Sequence, residues 1–230
     1  MGESRTVVVL QPGYLPWLGY FAQLHRSDVF VLYDDVQFDR ESWRNRNRIK
    51  SAQGVHWLTV PVLTKGQNWP TNREIRINNK VNWRKKHLLS IRQSYAGAPY
   101  FSDYAGMFDE IYSREWELLL DLNLALLNAL NDALRLKREI RLSSDLGIGG
   151  KRVERLVAIC RSLGATMFYE GAAGRDYIDE SQFSKAGIKL EYQDYRHPVY
   201  PQLHGEFVPY LSVVDLLFNC GPKSLEILAQ

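Results

Sequence analysis

The sequence is poor in cysteine, with two in 230 residues, Cys160 and Cys220. Neither has a second Cys or a His at metal-ligand spacing, which argues against a disulfide framework and a thiolate metal site. Two buried, reduced thiols in a cytoplasmic protein are the expectation. Long apolar runs are also lacking. None approaches the ~18–20 residues of a membrane helix, and the mean hydropathy is −0.31. No membrane insertion is expected. The opening Met1-Gly2-Glu3-Ser4-Arg5-Thr6 has no basic-then-apolar leader layout. Gly2 and Thr6 fit the loose myristoylation pattern, but a buried strand starting at Thr6 argues against that reading. There is no repeat, low-complexity tract or polar linker. No charge dominates: 29 basic and 26 acidic residues leave a net +3, which by itself does not point to nucleic acid.

What is present is an ordinary globular composition, 45% hydrophobic and 24% charged. The length suits one large domain. Thr6-Val7-Val8-Val9-Leu10 is a continuous β-branched run, the mark of a strand buried on both faces inside a parallel sheet. A helix-like stretch over 17–24 follows, then a second such strand, Asp28-Val29-Phe30-Val31-Leu32-Tyr33. Together they predict a βαβ unit. Strands are predicted over 55–62 and, more weakly, 74–77, and a helix over 83–95. Two helices are predicted within 103–136, with Ser113 capping the second. Alternation then resumes: a strand over 139–143, a helix over 151–163 closed by Gly164, a strand over 166–169, a strand over 189–192, and a helix over 211–218 ended by Gly221-Pro222. The prediction is an α/β fold with a mostly parallel sheet, βα alternation at both ends and a helical block in the middle. It forms a single domain over 1–230: an α/β part over about 1–80, a helical insertion over about 83–138 and an α/β part over about 139–230.

Ligands in such sheets bind beyond the carboxyl ends of the strands, and the polar and aromatic residues gather in those loops. The first loop, Gln11-Pro12-Gly13-Tyr14-Leu15-Pro16-Trp17-Leu18-Gly19-Tyr20-Phe21, is not a dinucleotide fingerprint. Gln11, coming directly off a buried strand, is a candidate catalytic residue, and Gly19 permits close approach. Tyr14, Trp17 and Tyr20 either wall a pocket or pack in the core. Asp34-Asp35 ends the second strand. Adjacent residues there point to opposite faces, so one of the two is a candidate general base; the alternative is an Asp that caps the next turn. Gln37 follows. In Trp43-Arg44-Asn45-Arg46-Asn47-Arg48-Ile49-Lys50, an extended chain puts Arg44, Arg46 and Arg48 on one face and Asn45 and Asn47 on the other. Arg forks grip phosphate or carboxylate. The later loops contribute Ser143, Ser144, Glu170, Gly171 and Tyr177 as candidate binding residues. No metal set is legible, and no cofactor is assigned. The partner expected is a small anionic substrate. The alternative is a nucleotide- or nucleic-acid-binding surface on the Arg/Asn/Trp segment, which the modest net charge disfavours.

These same segments carry a resemblance. The first loop, Asp28 to Val31 with Asp34-Asp35-Val36-Gln37-Phe38, and Asn45-Arg46-Asn47-Arg48-Ile49-Lys50 resemble the WbqC-like family. So do Trp57-Leu58-Thr59-Val60-Pro61-Val62, Tyr169-Glu170-Gly171, Tyr177, Phe207 and Leu211 to Asn219. The resemblance spans essentially the whole chain. It implies a bacterial protein, with some relatives encoded among O-antigen genes. The role implied is making or decorating an unusual sugar. With the residues above, it suggests transfer of an acyl or aminoacyl group onto an amino sugar, nucleotide sugar or related phosphorylated molecule. Many members of the family carry His directly before the Gln of the first motif, where Leu10 stands here.

Overall fold

The computed structural model describes residues 4–40, 42–64, 66 and 68–230; Gly2 of the N-terminal pattern lies outside them. In chain order the strands and helices are β1 (Thr6–Leu10), α1 (Leu18–Arg26), β2 (Val29–Leu32), β3 (Arg46–Ser51), β4 (Gly54–Thr59), β5 (Val62–Leu63) and β6 (Arg76–Ile77). There follow α2 (Trp83–Tyr95), α3 (Phe101–Ser113), α4 (Leu119–Ala133), β7 (Glu139–Leu142), α5 (Arg152–Ser162), β8 (Met167–Glu170), α6 (Glu180–Lys185), β9 (Lys189–Tyr192), α7 (Val213–Cys220) and α8 (Ser224–Leu228).

Five strands form one parallel sheet in the order β7-β2-β1-β8-β9. The valine runs of β1 and β2 are explained by what lies on each side. Val8, Phe30 and Leu32 face a core shared with Leu18, Phe21 and Leu24 of α1, with α2–α4 and with α7. Val7, Val9, Val29 and Val31 face a second core built from Val153, Leu156 and Ile159 of α5 and Phe183 of α6. Alternate residues thus go to opposite layers and both layers are apolar. The α/β expectation and the helical block hold, and α2 has the predicted bounds.

Two expectations are corrected. The single strand over 55–62 is broken at Val60-Pro61 into two that lie outside the parallel sheet. Its first part, β4, pairs antiparallel with β3 from Arg46↔Thr59 to Ser51↔Gly54, and β5 pairs with β6 in a second small ribbon. Ser113 ends α3 rather than capping α4: its hydroxyl donates back to the Glu110 carbonyl at 2.7 Å. α4 instead follows an extended Leu118 that bridges to Arg76. The short helices α6 and α8 were not predicted. Cys160 and Cys220 are free and buried, as expected. Among the described residues no helix is long and apolar enough to cross a membrane.

A polar knot lies under the first loop. The Tyr14 hydroxyl meets Nδ1 of His87 at 2.8 Å and also the Tyr112 hydroxyl, all within the core. Burial holds the His87 imidazole down at about 4, against a smaller opposing effect of a hydrogen bond with the Thr59 backbone. The unfolded chain therefore takes up a proton near pH 6.5 that the fold refuses until about pH 4. His87 stability is complete above 6.5 and lost as pH falls through that window, by about 3 kcal/mol. Urea titrations of wild type and His87→Gln from pH 7 to 4 should show the wild type losing more; parallel curves would refute a neutral His87.

Candidate functional site

The strand order reverses between β1 and β8. At such a switch point, beyond the carboxyl ends of the strands, open α/β sheets bind their ligands. A cleft of about 1210 Å³ opens there. Its lining comes from the end of β1, the start of α1, the 36–47 segment, the start of α5, and the end of β8 with the turn after it.

Several predicted residues meet in this cleft. Gln11, Trp17, Tyr20, Gln37, Arg44, Asn47, Glu170 and Tyr177 all line it. Leu10 also does, so the position directly before Gln11 faces the cavity. The Gln11 side-chain oxygen accepts from Asn72 Nδ2 at 3.1 Å, which fixes it at the end of β1. Trp17 packs edge-on against Tyr195 and leans on Tyr210. Gly19 makes room for the Trp17 ring: a Cβ there would sit 2.1 Å from it. Asn47 lies behind the loop and donates to the Leu15 carbonyl at 2.7 Å, holding a residue whose φ is +45.

Arg44, with Tyr20 beside it, supplies a cation to one side of the cleft. Burial lowers the Arg44 guanidinium, with Asp39 and Tyr20 opposing, and the Asp39 carboxylate is 3.7 Å away. The Tyr20 hydroxyl is buried without a protein partner, as is the side-chain oxygen of Gln23 on the same wall. Burial pushes the Tyr20 hydroxyl up, with Arg44 pulling the other way.

Glu170 faces them at the end of β8 with 5% of its surface exposed. Burial lifts its carboxyl to about 7, against the pull of the Gly171 N–H, which donates to it at 2.8 Å. Gly171 is thus its backbone support. Gly174 leaves room for it, because a Cβ there would lie 2.4 Å from Glu170 Cγ. A carboxyl that titrates near neutrality inside a cleft is suited to moving a proton.

Other predicted residues lie away from the cleft. Tyr14 is committed to the His87 knot. Asn45 is buried and donates to the Val60 carbonyl at 2.9 Å. Arg46 stacks at 4.7 Å over Trp57, 46% exposed on the outer face of the hairpin; Trp43, against Trp57 and 45% exposed, reaches from there to the cleft lining. Asp34 and Asp35 both turn to the β7 side. Asp34 Oδ1 accepts from the Ser143 hydroxyl at 2.9 Å and the Ser144 N–H at 3.0 Å. Asp35 shares that single Ser143 hydroxyl proton, at 2.6 Å, and accepts from Arg155 at 2.5 Å. Burial would raise the Asp35 carboxyl, but the Arg155 and Ser143 hydrogen bonds outweigh it and hold it low. Arg155 in turn donates to the Ile148 carbonyl at 2.9 Å. The aspartate pair therefore latches the turn between β7 and α5, and that turn supplies Lys151 and Arg152 to the cleft.

Lys151, Arg152, Glu154, Gln23 and Asp179 line the cleft and were not singled out from the sequence. The available signal was Gly147-Ile148-Gly149-Gly150-Lys151 between a strand and a helix. Among the described residues no His/Cys/Asp/Glu group could hold a metal ion.

A doubly wound α/β domain with a polar cleft at its switch point is the class these observations define. The WbqC-like protein family model matches residues 11–227, and the chain belongs to that family. It is also 37% identical, over 97% of both chains, to the uncharacterized protein Rv1507c of Mycobacterium tuberculosis. No solved structure matches it.

Proposed function

We propose that the protein is a cytoplasmic transferase. It moves an activated acyl or aminoacyl group onto the amine of an amino sugar, nucleotide sugar or related phosphorylated molecule. The setting is surface-polysaccharide or specialised metabolism. The observation that carries the reading is Glu170, a buried carboxyl titrating near 7 in a cleft that also holds Arg44. In the proposed step the amine nitrogen attacks the carbonyl carbon of a thioester, ester or acyl phosphate. The C–N bond forms, the bond to the leaving group breaks, and Glu170 takes the amine proton and passes it to the leaving group. Gln11 orients the amine, Arg44 holds the anion, and Trp17 with Tyr20 forms the apolar wall. Two buried thiols fit a reducing compartment.

A thermal-shift screen of nucleotides, nucleotide sugars, amino sugars and amino acids tests this. Phosphorylated amines should raise the melting temperature by a few degrees near saturation. A second reading comes from the hairpin face, where Arg46 and Arg48 lie over half-exposed indoles. Such a face could stack bases. Salt-dependent RNA binding with no metabolite shift would favour it over the transferase.

A further inference from the structure

The β7–α5 turn, residues 147–152, brings three sources of positive charge to one rim of the cleft. Lys151 and Arg152 line it. α5 begins there, eleven residues long, and its N-cap Lys151 makes no side-chain capping bond. The first N–H groups of a helix have no acceptor within it and carry the positive end of its dipole. The turn is held by Asp35 through Arg155 to the Ile148 carbonyl. Arg44 adds a separate cation to the same cavity. Independently of the helix, two polar groups of this cavity are buried and lack a protein partner, the Tyr20 hydroxyl and the Gln23 side-chain oxygen. Tyr20 and Gln23 are 7% and 4% exposed. Groups so placed imply a polar occupant. At about 1210 Å³ the cavity lies just beyond the roughly 300–1,000 Å³ of most small-ligand sites and has room for a ligand larger than a monosaccharide.

We propose that this rim is a diphosphate subsite and that the substrate is nucleotide-linked. Lys151, Arg152 and the open end of α5 hold one phosphate, and Arg44 reaches the other. Glu154 also faces the cleft and, like Glu170, suits the amine of the same ligand rather than its phosphates. The proposal deepens the transferase reading and rests on it for the amine end alone.

Calorimetry with inorganic pyrophosphate and inorganic phosphate tests it. Pyrophosphate should bind wild type at least tenfold more tightly than phosphate. Lys151→Ala and Arg152→Gly should each weaken pyrophosphate about tenfold. Glycine is chosen because Arg152 has a φ of +51, a conformation glycine holds without strain. Arg48→Ala should bind as wild type, since Arg48 is engaged with the Tyr210 carbonyl on the hairpin side. No pyrophosphate binding to wild type, equal affinity for both anions, or wild-type affinity in both variants would overturn the subsite. If it falls while amine ligands still protect against heat, the transferase reading survives. Pyrophosphate binding as expected without any amine effect supports the subsite and removes the transferase.

Discussion

A Glu170→Gln variant is expected to lose turnover by roughly 100- to 10,000-fold, the usual contribution of a positioned acid or base. It should nevertheless melt at or above the wild-type temperature. The reason is the cost of holding a carboxylate in the cleft wall. The folded carboxyl titrates near 7 and the unfolded one near 4.5. Between those values the native state binds the extra proton, so stability from this group is present below 4.5 and is lost as pH rises to 7. The loss is about 3 kcal/mol. Gln keeps an acceptor for the Gly171 N–H and carries no charge, so the variant should gain on wild type at pH 8 and match it at pH 4. Acting as a base, Glu170 must be ionised, and the wild-type rate should climb with pH through about 7. A rate that is flat across that range, or a fully active Gln variant, would remove Glu170 from the chemistry.

An Asp34→Ala variant is expected to fail in the opposite way, by losing stability. The carboxylate is fully buried and accepts from Ser143 and from the Ser144 backbone. Hydrogen bonds to a charged group contribute about 1.5–3 kcal/mol each. One Asp34 oxygen has no partner, which offsets part of that gain. A net loss of about 2–4 kcal/mol corresponds to a fall of roughly 5–15 °C in a chain of this size. Differential scanning calorimetry reads it directly. Activity measured well below the lowered melting point should remain measurable. An unchanged melting point with turnover abolished would return Asp34 to the role of base.

The two aspartates show how far the sequence could be read. Adjacent side chains on a strand face opposite ways, and that rule left one of the pair for the cleft. But the chain turns directly after β2, with the Asp34 N–H bonded to the Leu32 carbonyl at 3.0 Å. Both carboxylates then reach Ser143, just past the end of the neighbouring β7. Loop placement was legible because Gln11 directly follows, and Glu170 ends, an apolar strand run. Alternation in the basic segment was legible too: Arg46 and Arg48 are half-buried and Asn47 is buried. What a strand pairs with was not. Val55 and Trp57 have the residue types of a sheet strand, yet β4 is one half of a peripheral hairpin with an outward apolar face. Helices as short as α6 and α8, six and five residues, are too brief to display a period. Lys151 and Arg152 were passed over because a glycine turn reads as punctuation until its latch to Asp35 is seen.

The order of the central strands also sets when this protein can fold. β1 precedes the other strands of the sheet in the chain and occupies its middle, but Met167, its partner across the β8 side, lies 161 residues after Thr6. β2 waits for β7, whose Glu139 pairs with Val29 from 110 residues further on. At ~5–20 residues synthesised per second, one edge of this valine-rich strand stays unpaired for roughly 8–30 s. Non-local pairing of that kind is slow and leaves the open edge exposed to misassembly until the last third of the chain has emerged.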